Sequence, residues 1–145
     1  MIFGGLQKNS FGDYPGGISC VVFLAGCNFH CPYCHNPELA SGAAAVGCEL
    51  SLHWIRDFLA ARRGFLDGVV VSGGEPTLQP DLAELCACIR EAGYPVKLDT
   101  NGSNPDALRR LLAENLVDYI AMDIKTAPAA YVPWLAADLD PARLL

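Results

Sequence analysis

Cys27, Cys31 and Cys34 place three thiols within the eight-residue run Cys27-Asn28-Phe29-His30-Cys31-Pro32-Tyr33-Cys34. Iron–sulfur clusters of the cubane type are held by cysteine thiolates, normally four. A set of three leaves one iron open to an outside ligand. Open metal positions are where catalysis takes place, whereas closed ones are structural. The alternative is a structural zinc site completed by His30, His35, Cys48 or Cys20. Zinc sites usually combine two close ligand pairs from separate segments, and no second pair stands in this chain. The spacing therefore favours a three-cysteine cluster site.

The other four of the seven cysteines, Cys20, Cys48, Cys86 and Cys88, are scattered. An odd count without a secretion signal does not indicate a disulfide framework. Cys20 lies in an apolar run and Cys86 on a helix pattern, where cysteine behaves as a small buried hydrophobe. Cys48 falls on a small-residue connection, Ala40 to Gly47 and onward, that reads as exposed.

Elements that could position the cysteines follow from the periodicity. Ile18 to Ala25 is rich in β-formers and reads as a strand buried on both faces, with the cysteines on the loop that leaves it. Ser51 is an N-cap for a helix carrying Leu52, Ile55, Phe58 and Leu59 on one stripe and ending at Gly64. A second strand, Gly68 to Ser72, runs into Gly73-Gly74-Glu75-Pro76. Asp81 with Glu84 forms a capping-box pattern before a helix with Leu82, Leu85, Cys86 and Ile89 on its apolar face, ended by Gly93. A third strand, Pro95 to Asp99, leads into Thr100-Asn101-Gly102. Asn104 and Pro105 open a helix bearing Leu108, Leu111 and Leu112. A fourth strand, Val117 to Met122, reaches Asp123-Ile124-Lys125. Four strands alternating with helices predict a parallel α/β fold.

Length bounds that fold. A full eight-unit β/α barrel takes about 250 residues. At roughly 30 residues per βα unit, 145 residues hold four or five. A barrel here must be partial and open, formed by a single domain over residues 1–145. Apolar residues make up 52% and charged ones 18%, enough to bury a core. Ten basic against sixteen acidic residues give a net charge of −6, which argues against nucleic acid or an anionic membrane as partner. No apolar run approaches the roughly 20 residues of a membrane span. MIFGGLQKNSFGDYPGG lacks the pattern of a signal peptide, so the expected location is the cytoplasm.

The C-x3-C-x-aromatic-C form after the first buried strand, with Gly73-Gly74-Glu75-Pro76 after the second, resembles the radical S-adenosylmethionine superfamily. The resemblance implies a [4Fe–4S] cluster on Cys27, Cys31 and Cys34, with the methionine amino and carboxylate groups of the cofactor on the fourth iron. Gly73, Gly74, Glu75 and Pro76 would then hold the amino group through their backbone, and a backbone without Cβ lets a ligand approach. Leu98 to Gly102 and Met122 to Lys125 resemble the matching motifs of glycyl-radical-enzyme activases. That resemblance gives Asp99 and Asp123, with the carbonyls of Thr100 and Ala121, a monovalent cation, and gives Asn101 and Lys125 cofactor contacts. Tyr33 resembles the aromatic beside the adenine; read alone it is a packing aromatic. Without the family, Asn101-Gly102 is a turn dipeptide and Lys125 a solvated lysine.

Gly4 to Lys8, Asp13 to Gly16, Cys34 to Glu38, Leu66 to Gly68, Gly73 to Pro80 and Val117 to Lys125 are similar to activating proteins of anaerobic ribonucleoside-triphosphate reductase. The similarity implies reductive cleavage of S-adenosylmethionine with an electron from a flavodoxin- or ferredoxin-type donor. A glycine of the partner reductase would lose a Cα hydrogen and keep a glycyl radical. A small-molecule substrate and a non-catalytic metal-binding fragment are the other expectations. Activases of this kind have a six-strand partial barrel, and the residues after Lys125 do not read as two further βα units. Asp140-Pro141 is a helix-start signal with four residues after it, read either as a shortened chain or as a frayed end.

Overall fold

The computed structural model describes residues 1–45 and 49–136. Five strands form one sheet in sequence order: β1 (Phe3–Ser10), β2 (Ser19–Leu24), β3 (Gly68–Gly73), β4 (Val96–Thr100) and β5 (Tyr119–Met122). β2 to β5 are parallel, joined by the crossover helices α2 (Leu52–Ala61), α3 (Leu82–Glu91) and α4 (Pro105–Ala113). α1 (Pro37–Ser41) follows the cysteine loop, and α5 (Tyr131–Trp134) follows β5. The fold is α/β with an open sheet, as expected of a partial barrel.

Strand alternation divides the sheet into two faces. Val22, Leu24, Val69, Val71, Val96 and Leu98 point to the helices, where Ile55, Leu59, Leu85, Ile89 and Leu111 meet them in the main core. Each such side chain contributes roughly 1.5–3 kcal/mol on burial. The opposite face carries Val21 and Val70 and then, along β4, Lys97 and Asp99. A polar stripe thus starts mid-strand and runs toward the C-terminal edge.

Several local expectations change. β1 pairs antiparallel to β2, so the sheet is mixed. Its burial is shallow, and an edge strand satisfied by one neighbour's ladder needs little apolar pattern. Ser51 caps α2 by accepting from the Trp54 N–H at 3.1 Å, but the helix ends at Ala61, before Gly64. Asp81 makes no side-chain cap for α3; its carboxylate instead takes the Met1 ammonium at 2.8 Å, and the charged pair replaces the capping box. Asn104 does cap α4, accepting from the Ala107 N–H at 3.2 Å. Leu112, placed on the apolar stripe, is exposed. The connection read from Ala40 to Gly47 takes in the end of α1 and a 3-10 turn over Ala43–Ala45. Cys48 and Asp140-Pro141 lie outside the described residues. No helix among those described is long and apolar enough to cross a membrane.

Cys20 and Cys86 are fully buried, and burial pushes both thiols up from 9.0 to about 12. They hold their protons more tightly folded than unfolded. Their contribution to stability is complete below about pH 9 and is lost as the pH climbs toward 12. Thermal unfolding of the metal-free protein should therefore shift to lower temperature across that window. Iodoacetamide at pH 8 should label the exposed Cys34 and leave Cys20 and Cys86 untouched, as read by peptide mass spectrometry. Labelling of all three at equal rates would contradict this burial.

Candidate active site

At the C-terminal ends of the parallel strands, where α/β sheets bind ligands, lies a cavity of about 340 Å³. Cys27, Cys31 and Cys34 line it from the loop after β2, Gly73 and Gly74 from β3, and Asp99, Thr100 and Asn101 from β4. Asp123 and Lys125 close it beyond β5. Four separate strand ends thus converge on one space. Phe29, His35, Asn36, Ala40 and Ser72 line it as well. Ser72 and Ala40 gave no sequence signal, because a serine at a strand end and an alanine in a small-residue run carry no motif of their own.

The cysteine loop is anchored at its base. Gly26 N–H donates to the Leu39 carbonyl at 2.8 Å and Cys27 N–H to the Ala40 carbonyl at 2.9 Å, so α1 backs the loop. Gly74 N–H donates to Leu24 and Glu75 N–H to Gly26, at 2.9 and 2.8 Å. The two glycines of the turn are required by this contact. Gly73 has φ +127°, and a Cβ there would stand 2.1 Å from the Leu24 carbonyl oxygen. A Cβ on Gly74 would stand 2.2 Å from that of Gly26. Their missing side chains let the turn lie against the cysteine loop.

Glu75 and Pro76 are buried behind the cavity wall and do not line it. The Glu75 carboxylate accepts four hydrogen bonds. Thr77 supplies its N–H at 3.0 Å and its hydroxyl at 2.6 Å, Thr100 its hydroxyl at 2.8 Å, and Asn101 its N–H at 2.6 Å. This side chain is a strut between the β3 and β4 loops.

Asn101 reaches the other way. Its amide donates to Asn28 Oδ1 at 3.0 Å and, at 3.9 Å, to Cys27 Sγ, while its Oδ1 accepts from the Ser103 N–H. Phe29 N–H also donates to Cys27 Sγ at 3.4 Å. Two donors therefore aim at one cysteine sulfur, the arrangement a metal-bound thiolate accepts. Burial raises the Cys27 thiol most; the Phe29 N–H pulls it back, and Glu75, Cys31 and Cys34 push it up again. Burial likewise raises Cys31, against Lys125, with Cys34 adding to the rise. Three mutually repelling thiolates call for a cationic centre between them. Among the described residues, no three His, Cys, Asp or Glu side chains gather as ligands of one metal ion, as a tetrahedral zinc at about 2.3 Å from sulfur requires. Three cysteine sulfurs lining one cavity are the donor type that an iron–sulfur cluster takes.

Tyr33 is 55% exposed, and its hydroxyl donates to the Lys125 carbonyl at 2.6 Å. Lys125 N–H donates to the Tyr131 hydroxyl at 2.9 Å, so two phenols hold the backbone on either side of this residue. Tyr131 meets Phe29 edge-on, with ring centroids 6.0 Å apart, and His30 N–H donates to the Leu135 carbonyl. Residues after Lys125 thus fold back onto the cysteine loop, where Phe29, Tyr131 and Leu135 form a second apolar cluster against Cys27 and Cys31.

Comparison with known proteins fixes the class. The Radical SAM superfamily profile matches residues 21–137, and the chain belongs to that superfamily. A Methanocaldococcus jannaschii protein named as a glycyl-radical enzyme activating enzyme is 44% identical over 115 residues, 78% of this chain and 45% of the relative. The pyruvate formate-lyase-activating enzyme of Listeria monocytogenes is 36% identical over 120 residues, 75% of this chain and 47% of the relative. A PqqA peptide cyclase of Streptomyces rochei is 36% identical over 121 residues, 81% of this chain and 32% of the relative. The chain spans less than half the length of these relatives.

Proposed function

We propose that this chain carries the cofactor-binding part of a glycyl-radical-enzyme activase. The observation that carries the reading is the convergence of three cysteines, the Gly73-Gly74 turn and the β4 and β5 ends on one cavity. The names of the Methanocaldococcus and Listeria relatives support it. Cys27, Cys31 and Cys34 would hold a [4Fe–4S] cluster. Gly73, Gly74, Asn101 and Lys125 would receive S-adenosylmethionine. When bound, the pair supplies one-electron cleavage of the sulfonium, with an electron from a flavodoxin- or ferredoxin-type donor and a glycine Cα–H of the partner as hydrogen source. The chain's own work is to position these groups. The phenols of Tyr33 and Tyr131 fix the Lys125 backbone, and the Phe29–Tyr131–Leu135 cluster packs against Cys27 and Cys31.

The partner we infer is anaerobic ribonucleoside-triphosphate reductase, on the motif similarity from Gly4 to Lys125. The test is EPR of that reductase after anaerobic incubation with the reconstituted, reduced protein and S-adenosylmethionine. The expected result is a glycyl-radical doublet on the reductase and none on pyruvate formate-lyase treated alike. A doublet on the lyase alone would move the target and keep the chemistry. A second reading, a peptide substrate, rests on the Streptomyces relative; a modified peptide without any protein radical would favour it.

A further inference from the structure

The resemblance to activases assigns a monovalent cation to Asp99, Asp123 and the carbonyls of Thr100 and Ala121, and the structure gives three of those four groups other partners. Lys97 lies two residues before Asp99 on β4, on the same face of the strand. Its side chain is only 11% exposed, and its ammonium pairs with Asp99 Oδ1 at 2.5 Å. Lys125 Nζ pairs with Asp123 Oδ2 at 2.6 Å. The Thr100 carbonyl accepts the Asp123 N–H at 2.9 Å. Both carboxylates of the expected cradle are therefore neutralised by ammonium groups of the chain, and one of its two carbonyls is engaged.

We propose that Lys97 and Lys125 stand in for the monovalent cation, so that the cofactor-facing edge of β4 and β5 is neutralised from within and takes up no metal ion. The physical basis is charge balance. Two carboxylates side by side at the edge of a cavity that must also accept a cofactor carboxylate would repel it. One cation per carboxylate removes that repulsion, and an ammonium supplies three donors along with its charge. An alkali ion entering the same place would face two ammonium groups and find both carboxylates and the Thr100 carbonyl already engaged. On a mostly apolar parallel sheet a lysine is a costly choice, and the Lys97 ammonium is paired with Asp99.

The proposal rests on reading the cavity as the S-adenosylmethionine site, and its test separates the two. One arm measures S-adenosylmethionine binding to the cluster-loaded protein by equilibrium dialysis, with choline replacing Na⁺ or K⁺ at about 100 mM to hold screening constant. The other measures ²³Na line width on the cluster-free protein. Wild type should bind the cofactor within about twofold with or without alkali cation and leave the sodium line narrow. Lys97→Met should bind about tenfold more weakly in choline, recover in Na⁺ or K⁺, and broaden the line, because Asp99 then draws an ion in. Lys97→Arg should behave as wild type. Saturable tightening by Na⁺ or K⁺ in wild type, a broadened wild-type line, or a Lys97→Met protein with no cation dependence would each overturn the proposal. Loss of the cluster in Lys97→Met leaves the sodium arm to decide. Failure of wild type to bind S-adenosylmethionine at any salt would overturn the cofactor site instead.

Discussion

Alanine in place of Cys27, Cys31 or Cys34 should abolish cluster assembly, with iron and acid-labile sulfide falling to background after anaerobic reconstitution. The magnitude follows from the site having three protein ligands and no spare. Loss of an outer partner alone costs about 10–100-fold in metal-site function, so loss of a ligand should exceed about a hundredfold. Among the described residues, no fourth cysteine lines the cavity. The cavity's other side chains near the loop are His35, Asn36 and the lysine-paired Asp123, and none of these is a thiol. Cys86→Ala is the matching control. Cys86 is buried in the main core, far in sequence from the loop, so its replacement should cost stability of about 1–2 kcal/mol while cluster content stays normal. Full iron loading of any of the three loop variants would contradict the assignment.

The second large effect lies at Glu75, outside the cavity. Its two oxygens accept from two buried backbone N–H groups and two threonine hydroxyls, and together they tie the β3 turn to the β4 loop. Glu75→Leu fills the space and removes every acceptor. Each orphaned buried donor costs roughly 1–3 kcal/mol, and hydroxyls can turn elsewhere more readily than N–H groups, so the total should be about 3–5 kcal/mol. Glu75→Gln keeps one carbonyl oxygen and should cost about 1–2 kcal/mol. Urea unfolding of the cluster-free protein reads both. Because Asn101 hangs from this carboxylate and itself donates toward Cys27, Glu75→Gln should also weaken S-adenosylmethionine binding while leaving cluster content intact. A Glu75→Leu protein within about 0.5 kcal/mol of wild type would refute the strut.

Much of this arrangement is legible in the residues because the chemistry sits at the ends of strongly patterned strands. Val69-Val70-Val71 and Val96 to Leu98 can only be buried β, and once they are parallel, the motifs that follow them must meet at one edge. The same logic finds α2 through Ser51 and α4 through Asn104, whose side-chain caps both form. What escapes the sequence depends on contacts between distant segments. β1 is an edge strand whose shape is set by its ladder to β2 and not by its own apolar pattern. Asp81 reads as a helix cap until the Met1 ammonium, 80 residues away, takes its carboxylate. Glu75 belongs to a recognisable motif, yet only the fold shows its side chain turned from the cavity toward Thr100 and Asn101. Lys97 carries no motif and would pass as a charged interruption of a strand; its register two residues before Asp99 was the available signal.

One measurement bears most directly on the reading of the cavity: 5′-deoxyadenosine formed from S-adenosylmethionine by the anaerobically reconstituted, chemically reduced protein, beside its Cys27→Ala, Cys31→Ala and Cys34→Ala variants. The expected result is time-dependent product from wild type and background from each variant. Wild type with a full cluster and bound S-adenosylmethionine but no 5′-deoxyadenosine would contradict the proposal that this cavity is where S-adenosylmethionine is reductively cleaved.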